Sequence, residues 1–408
     1  MDFLDNLLCL AHNQATRFFC GPQAPRLPSR QGPGTERAEV ISIPSGAYSP
    51  GKKKKEIKGA MENLDPIYKE LAARLGQAHS KYMSRILAKL ANPEQAKILR
   101  ELPAPAEEIA KKLNLEKSAV DRHIQELLEK GVAFPTKKGP QMARTMEQLH
   151  DAALGNPKYD SQLGEEYFDL FAEFMDHEVV DDMLKTYVTP EGPRFRIIPR
   201  WKSIANVPGV LPAEDMREIV RRQELLALLQ CPCKREHRKR SCGVPLQVCI
   251  NVGRTAQYNI NRGAGKRITV EEALQVLEQT DPYPMVHISL NQTEVNQLIC
   301  NCHKCCCSPM IHMFAQKKHK FTDGIAKSRF EASVDLQTCK ACKVCLTKCQ
   351  FGAVQMIKDP ATGKERSSVD PEKCMGCGSC VVSCRSGARS MKVVRPPEHI
   401  PRQIARLY

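Results

Sequence analysis

A chain of 408 residues with 42% apolar and 26% charged side chains is long enough for two or three domains, each with its own core. No apolar run approaches the ~20 residues that cross a bilayer, which argues against a membrane span. Nineteen cysteines would fit a disulfide framework in a short secreted domain, but in this long chain they fall in tight C-x-C and C-x-x-C spacings, which suit metal ligation in a reducing compartment.

The head of the chain reads as follows. Asp2 and Asp5 stand where a secretory signal would carry Lys or Arg, and the apolar run Leu7 to Ala11 is short, so the expected location is cytoplasmic. Residues 21–60 are rich in Pro, Gly and Ser and end in the basic run Lys52 to Lys55, the composition of a disordered segment. Met61 opens a helix-forming texture, and residues 1–60 are expected to be a disordered or mis-assigned extension, with translation starting at Met61. Cys9 and Cys20 lie in that head and are not counted as ligands.

Residues 61–150 are read as one domain, and residues 84–145 carry the clearest fold signal before the cysteines. Asn92-Pro93 marks a helix start, Asn as N-cap and Pro in the first turn, running to about Leu102. A short helix is expected over Ala106 to Leu113, a turn at Asn114-Leu115, and a longer helix from Lys117 to Lys130. Val120, Ile124, Leu127 and Leu128 give that last helix one apolar face, and Gly131 ends it. Val132 to Phe134 and Met142-Ala143 flank a turn at Lys137 to Pro140. Three helices and a hairpin resemble a winged helix-turn-helix domain.

Residues 151–230 read as a helical connector. Tyr167, Phe168, Phe171 and Phe174 are expected to be core rather than a cofactor box, and a helix is expected to end near Leu229. Residues 231–329 form a cysteine-rich module with Cys231, Cys233, Cys242, Cys249, Cys300, Cys302, Cys305, Cys306 and Cys307. Thiols so closely spaced are seldom a packing feature, since buried cysteines have no need to adjoin. One or two further iron–sulfur clusters are expected here, with zinc or free redox thiols as alternatives; spacing does not tell which four share a site. His303 is read as a bystander. Between the two cysteine groups, Thr269-x-x-Glu272 is a capping box for a helix to about Leu277, and Gly263 to Lys266 is read as a turn.

Residues 330–392 hold Cys339-x-x-Cys342-x-x-Cys345-x-x-x-Cys349 and, again, Cys374-x-x-Cys377-x-x-Cys380-x-x-x-Cys384. Three cysteines placed three apart let one short loop wrap three corners of a cubane, whereas structural zinc more commonly takes two C-x-x-C pairs. The duplicated run resembles bacterial two-cluster ferredoxins over about sixty residues. That resemblance implies two [4Fe-4S] clusters, one on Cys339, Cys342, Cys345 and Cys384, the other on Cys374, Cys377, Cys380 and Cys349. Gly376 and Gly378 are expected to let the backbone approach the inorganic core. The family usually follows the fourth cysteine with proline; Gln350 and Arg385 stand there instead. Of the net charge of +15, +14 falls in residues 231–408, where Lys and Arg would offset the negative charge of clusters and raise their potential. Residues 393–408 are read as a tail.

From Met61 onward the chain is similar to a family of anaerobe iron–sulfur proteins with a winged-helix-like front, a "C-x-C … ICN-C" module and a ferredoxin tail. Cys231-Pro232-Cys233, Pro245 to Cys249 and Ile299 to Cys302 carry that likeness; the family commonly continues "ICNCC-x-CCC", so His303 replaces one of its cysteines. The expected fold class is α+β and multidomain: winged helix-turn-helix-like, cysteine-rich, then ferredoxin-like.

No G-x-S-x-G, Walker-type phosphate loop or G-x-G-x-x-G after a strand is present, nor the C-x-x-x-C-x-x-C of radical chemistry. The expected role is electron transfer without catalysis, relaying single electrons between a low-potential donor and a flavoprotein or other oxidoreductase in anaerobic metabolism. The alternative is a redox-responsive regulator binding DNA through the winged helix. Against it, Asp121, Glu126 and Glu129 stand beside Arg122 and Gln125 on the exposed face, an acid-rich surface for a phosphate-lined groove.

Overall fold

The computed structural model describes residues 64–240 and 243–404. The readings of residues 1–60, Cys9, Cys20 and Cys242 lie outside that range. Among the described residues no helix is long and apolar enough to cross a membrane.

The first elements are the helices Ile67–Arg74, Met83–Leu90, Pro93–Glu101, Ala106–Leu113 and Lys117–Glu129. Local chemistry places the third: the Asn92 side chain accepts from the Gln95 N–H at 2.8 Å while Gln95 Oε1 accepts from the Asn92 N–H at 3.1 Å, and Pro93 needs no partner for a missing donor. Asn114 takes the left-handed conformation (φ 54°) that lets the next helix turn back. Val120, Ile124 and Leu127 are the buried stripe of the fifth helix. β1 (Ala133–Thr136) and β2 (Gly139–Met142) follow as an antiparallel hairpin, Ala133 opposite Met142 and Thr136 opposite Gly139. Gly131 has φ +75°, and a Cβ there would sit 2.6 Å from the Ala152 carbonyl carbon, so only glycine lets the hairpin and the helix Met146–Ala153 close up.

The helices Asp160–His177 and Val180–Tyr187 bury Tyr167, Phe168, Phe171 and Phe174 in one core. Edge-to-face contacts join Tyr167 to Phe168 and Phe171, ring centroids 5.2 Å apart in both. They belong to the core, as their spacing indicates.

A small hairpin, β3 (Val188–Thr189) and β4 (Gly192–Pro193), leads into β5 (Phe195–Ile198). This strand joins β6 (Leu226–Gln230), β7 (Gln247–Val252), β8 (Lys266–Ile268), β9 (Val286–Leu290), β10 (Leu298–Cys302) and β11 (Ile325–Ala326) in a seven-stranded sheet ordered β11-β5-β9-β10-β7-β6-β8. All neighbours run antiparallel except β5 and β11. The expected helix ending near Leu229 is corrected here. The helix stops at Arg221, and Leu226–Gln230 is a strand paired on both sides, by β7 and β8. Five residues of Leu-Ala-Leu-Leu-Gln are too few for a stable helix, and both faces of a central strand are covered. Leu226 faces one cluster with Ile250 and Ile268, and Ala227 and Leu229 face another with Cys249. The helix Val270–Glu278 starts at the Thr269–Glu272 capping box.

The last part is a duplicated unit: β12 (Phe330–Val334), a cysteine loop, the helix Val344–Lys348 and β13 (Val354–Lys358), then β14 (Glu365–Val369), a second loop, the helix Ser379–Val382 and β15 (Arg389–Val393). The strands pair across the halves, β12 with β15 and β13 with β14, both antiparallel. Phe330, Ala332, Val354 and Met391 form its core together with Ile204, which lies outside the duplicated unit.

Candidate metal centres

The two cysteine loops share a backbone. Ala341 and Lys343 have φ of 51° and 63°; Gly376 and Gly378, at equivalent places, have 68° and 75°. Left-handed residues one apart fold a chain into the concave turn that cradles anions. The first loop keeps ordinary side chains there because it faces outward: Lys340, Cys342 and Lys343 are exposed. The second loop is packed against residues 328–330 and the helix Trp201–Ile204. A Cβ on Gly376 would lie 2.1 Å from Ser328 Oγ and 2.2 Å from the Phe330 oxygen, and one on Gly378 would lie 2.0 Å from Ser203 Oγ. A side chain at either place would collide with protein, so both positions require glycine.

Two hollows lie in this unit. The outer is lined by Cys339, Cys342, Cys345 and Cys384, the inner by Cys349, Cys374, Cys377 and Cys380. The fourth cysteine of each run thus crosses to the other loop, the grouping that the ferredoxin resemblance implies. Four sulfurs around each hollow form the soft donor set that iron–sulfur groups take, so the residues fit two such groups.

The hollows differ electrostatically. Burial works to raise the Cys339 thiol, but hydrogen bonding from Ser367 and from the Ala341 backbone outweighs it and the thiol is held low. Burial pushes Cys377 and Cys380 up. Buried guanidiniums stand near both. Arg389 lines the outer hollow and donates to Ser367 Oγ at 2.9 Å. Arg200, 2% exposed, donates its backbone N–H to the Cys377 carbonyl at 3.0 Å, and its fork reaches Ser379 Oγ, Thr280 and the Met285 carbonyl. It also pairs with Asp281.

The middle module gathers a second set of thiols. Cys231 follows β6 as the N-cap of the helix Pro232–Glu236, Cys233 lies in that helix, Cys249 is on β7, Cys300 and Cys302 are on β10, and Cys307 precedes the helix Ser308–Ala315. Ile299 pairs with Ile250, so the next positions, Cys300 and Cys249, adjoin across two strands; Cys302, two residues on, shares their face. Cys302 and Cys307 sulfurs are 3.1 Å apart. Hydrogen bonds also join Cys231 to Cys233 and Cys300 to both Cys249 and Cys302. Donation from these neighbours draws Cys231 to about 7 and Cys300 well below the usual thiol range. Cys305, Cys306 and His303 form a closer group of their own, the three ligand atoms within 4.8 Å of one another. The supposed bystander therefore has two thiols beside it.

Sequence reasoning missed three side chains. Lys234 is buried beside the thiols, donating to the carbonyls of Pro245 (2.9 Å) and Asn301 (3.1 Å). Gln350 is buried with its Oε1 accepting from the Lys304 N–H at 2.5 Å and its Nε2 donating to the Cys302 carbonyl at 3.2 Å. Its place in the run, where ferredoxins carry proline, was the only available signal. His150 lies 2.6 Å from Glu236 and 3.0 Å from Asp151. No local pattern links residues 150 and 236.

Burial alone would lower the His150 pKa, but the Glu236 charge, helped by Asp151, raises it to about 10. A histidine whose pKa is raised in the fold stabilises fully below its unfolded value of ~6.5. That contribution is lost as pH climbs from there through about 10. Denaturation midpoints measured at intervals from pH 6 to 10 should therefore fall on this limb, and His150→Gln should flatten it.

Eight thiols in two hollows within a duplicated fold define an iron–sulfur protein. The family model described as a 4Fe-4S dicluster domain matches residues 338–388 of this chain. No curated protein and no solved structure matches the chain. The match supports electron transfer as the general role.

Proposed function

We propose that this chain is a ferredoxin-type electron carrier or subunit, relaying single electrons from a low-potential donor to a partner oxidoreductase such as a flavoprotein. Cys339, Cys342, Cys345 and Cys384 would hold the outer [4Fe-4S] group, and Cys374, Cys377, Cys380 and Cys349 the inner. When bound, such groups take up and release one electron at a time without atoms changing hands. The observation that carries the reading is the exchange of Cys349 and Cys384 between the two loops, which keeps the hollows side by side in one small fold.

The chain's own residues suit that task. Exposed Cys342, flanked by Lys340, Lys343 and the 39% exposed Val344, gives the outer hollow a basic, partly apolar face for an acidic partner. The inner hollow's loop is held close to Ser328, Phe330 and Ser203 at Gly376 and Gly378, and by the Arg200 N–H on the Cys377 carbonyl. In this reading the middle module adds further iron–sulfur capacity, the first five helices and hairpin are a winged-helix-like docking module, and the setting is a reducing, anaerobic cytoplasm.

DNA binding by that module is the weaker reading. On the helix Lys117–Glu129, Lys117 is paired with Asp121 at 2.6 Å and His123 with Glu94 at 2.6 Å, while Glu129 accepts from Tyr159 at 2.7 Å. Those groups are engaged within the protein rather than offered to a groove.

The test is anaerobic iron and sulfide analysis with EPR of the reduced protein. At least about eight irons per chain with fast-relaxing cluster signals are expected. Colourless protein with zinc at these positions would overturn the reading, as would nanomolar, sequence-specific, salt-dependent DNA binding by the holoprotein.

A further inference from the structure

Cys231, Cys233, Cys249, Cys300, Cys302 and Cys307 come from four separate stretches of chain and meet on one face of the large sheet. Cysteines that merely fill a core are dispersed like other small apolar residues. Two β10 thiols on one face, a β7 thiol in the adjoining register position, and thiols at the starts of two helices (Cys231, Cys233 and Cys307) are linked through hydrogen bonds and close sulfur contacts.

Lys234 is the independent observation. Its side chain is 7% exposed, and its ammonium donates to two carbonyls, those of Pro245 and Asn301. Those two carbonyls are its hydrogen-bond acceptors, and none of the ion pairs among the described residues includes it. A buried cation without a counter-charge costs several kcal/mol, so its surroundings must supply negative charge.

The location fits a redox role. Cys349 lines the inner hollow; the next residue, Gln350, is buried and hydrogen-bonded at both ends of its amide to the backbone at Cys302 and Lys304. One amide side chain thus spans the gap between the inner hollow and the ring of thiols.

We propose that this ring of six thiols is a third iron–sulfur site, taking its ligands from these six cysteines. Lys234 is the buried counter-charge of the bound cluster, and Gln350 ties the site to the inner hollow. Cys305, Cys306 and His303 stand outside the ligand set. The proposal rests on the relay reading of the C-terminal unit, but its test separates the two.

Full-length protein is prepared anaerobically as wild type, as Cys300→Ser/Cys302→Ser, and as Cys339→Ser/Cys374→Ser, and iron, sulfide, zinc and EPR are measured on each. Wild type is expected to hold about twelve irons or more, against about eight for two [4Fe-4S] groups alone. The ring variant should lose the excess and keep the C-terminal signals; the C-terminal variant should lose about eight and keep the excess. Wild type with about eight irons, unchanged in the ring variant, overturns the third site and spares the relay. Excess iron kept alongside zinc or nothing in the C-terminal unit overturns the relay and spares the third site. A further variant, Lys234→Met, leaves every cysteine in place should the ring variant fail to fold. It should shift the extra EPR signal to lower potential while the C-terminal signals stay put; an unmoved signal sinks the assignment.

Discussion

Replacing Cys384 by serine should empty the outer centre and leave the inner one loaded, although Cys384 belongs to the second cysteine run. The reason is the crossing: Cys384 lines the hollow of Cys339, Cys342 and Cys345, while Cys349 lines that of Cys374, Cys377 and Cys380. A serine hydroxyl is a poorer ligand for a thiophilic iron site than a thiolate. About four irons should be lost, half of the two-cluster complement. Cys349→Ser should do the converse and should also move Gln350, its neighbour, off the Cys302 backbone. Iron content and EPR of the two variants check this. Loss of the inner signals in Cys384→Ser would mean that each run serves its own cluster.

Arg200→Met is expected to cost about 3–5 kcal/mol, the scale for breaking a buried, hydrogen-bonded ion pair from one side. Arg200 precedes the helix Trp201–Ile204 and clasps three segments at once: Thr280 and Asp281, the Met285 carbonyl, and Ser379 with Cys377 in the second cysteine loop. Methionine matches its bulk but removes one donor from each of the Thr280 and Met285 carbonyls, which keep the Tyr283 N–H and Ser379 Oγ, so the loss is that of the Arg200 bonds and of its pairing with Asp281. Arg200→Lys should recover little, because one ammonium cannot fork toward several acceptors. Anaerobic denaturation would read the loss, and limited proteolysis should release the C-terminal unit sooner in both variants. Equal stability in wild type and Arg200→Met would remove the clasp from the account.

Features set by near neighbours in the chain were open to reading without coordinates. Asn92, Pro93 and Gln95 cap their helix within four residues, as do Thr269 and Glu272. The aromatic positions from Tyr167 to Phe174 announced a buried face because helical period alone puts them together. Leu226–Gln230 was misread because a short apolar run carries no period, and only strands on both sides make it β6. Gly376 and Gly378 were legible as turn glycines, but the crowding by Ser328, Phe330 and Ser203, far away in sequence, was not.

The sequence by itself determined the chemistry of the C-terminal unit: cysteines three apart on one loop converge whatever surrounds them, and their duplication already spelled two centres. Tertiary structure alone decided which middle thiols meet, that a lysine is buried among them, that Gln350 reaches the Cys302 backbone, and that His150 finds Glu236. Each of those contacts is formed or fixed by segments tens of residues apart, where sheet pairing and burial choose the partner and local chain geometry leaves no trace.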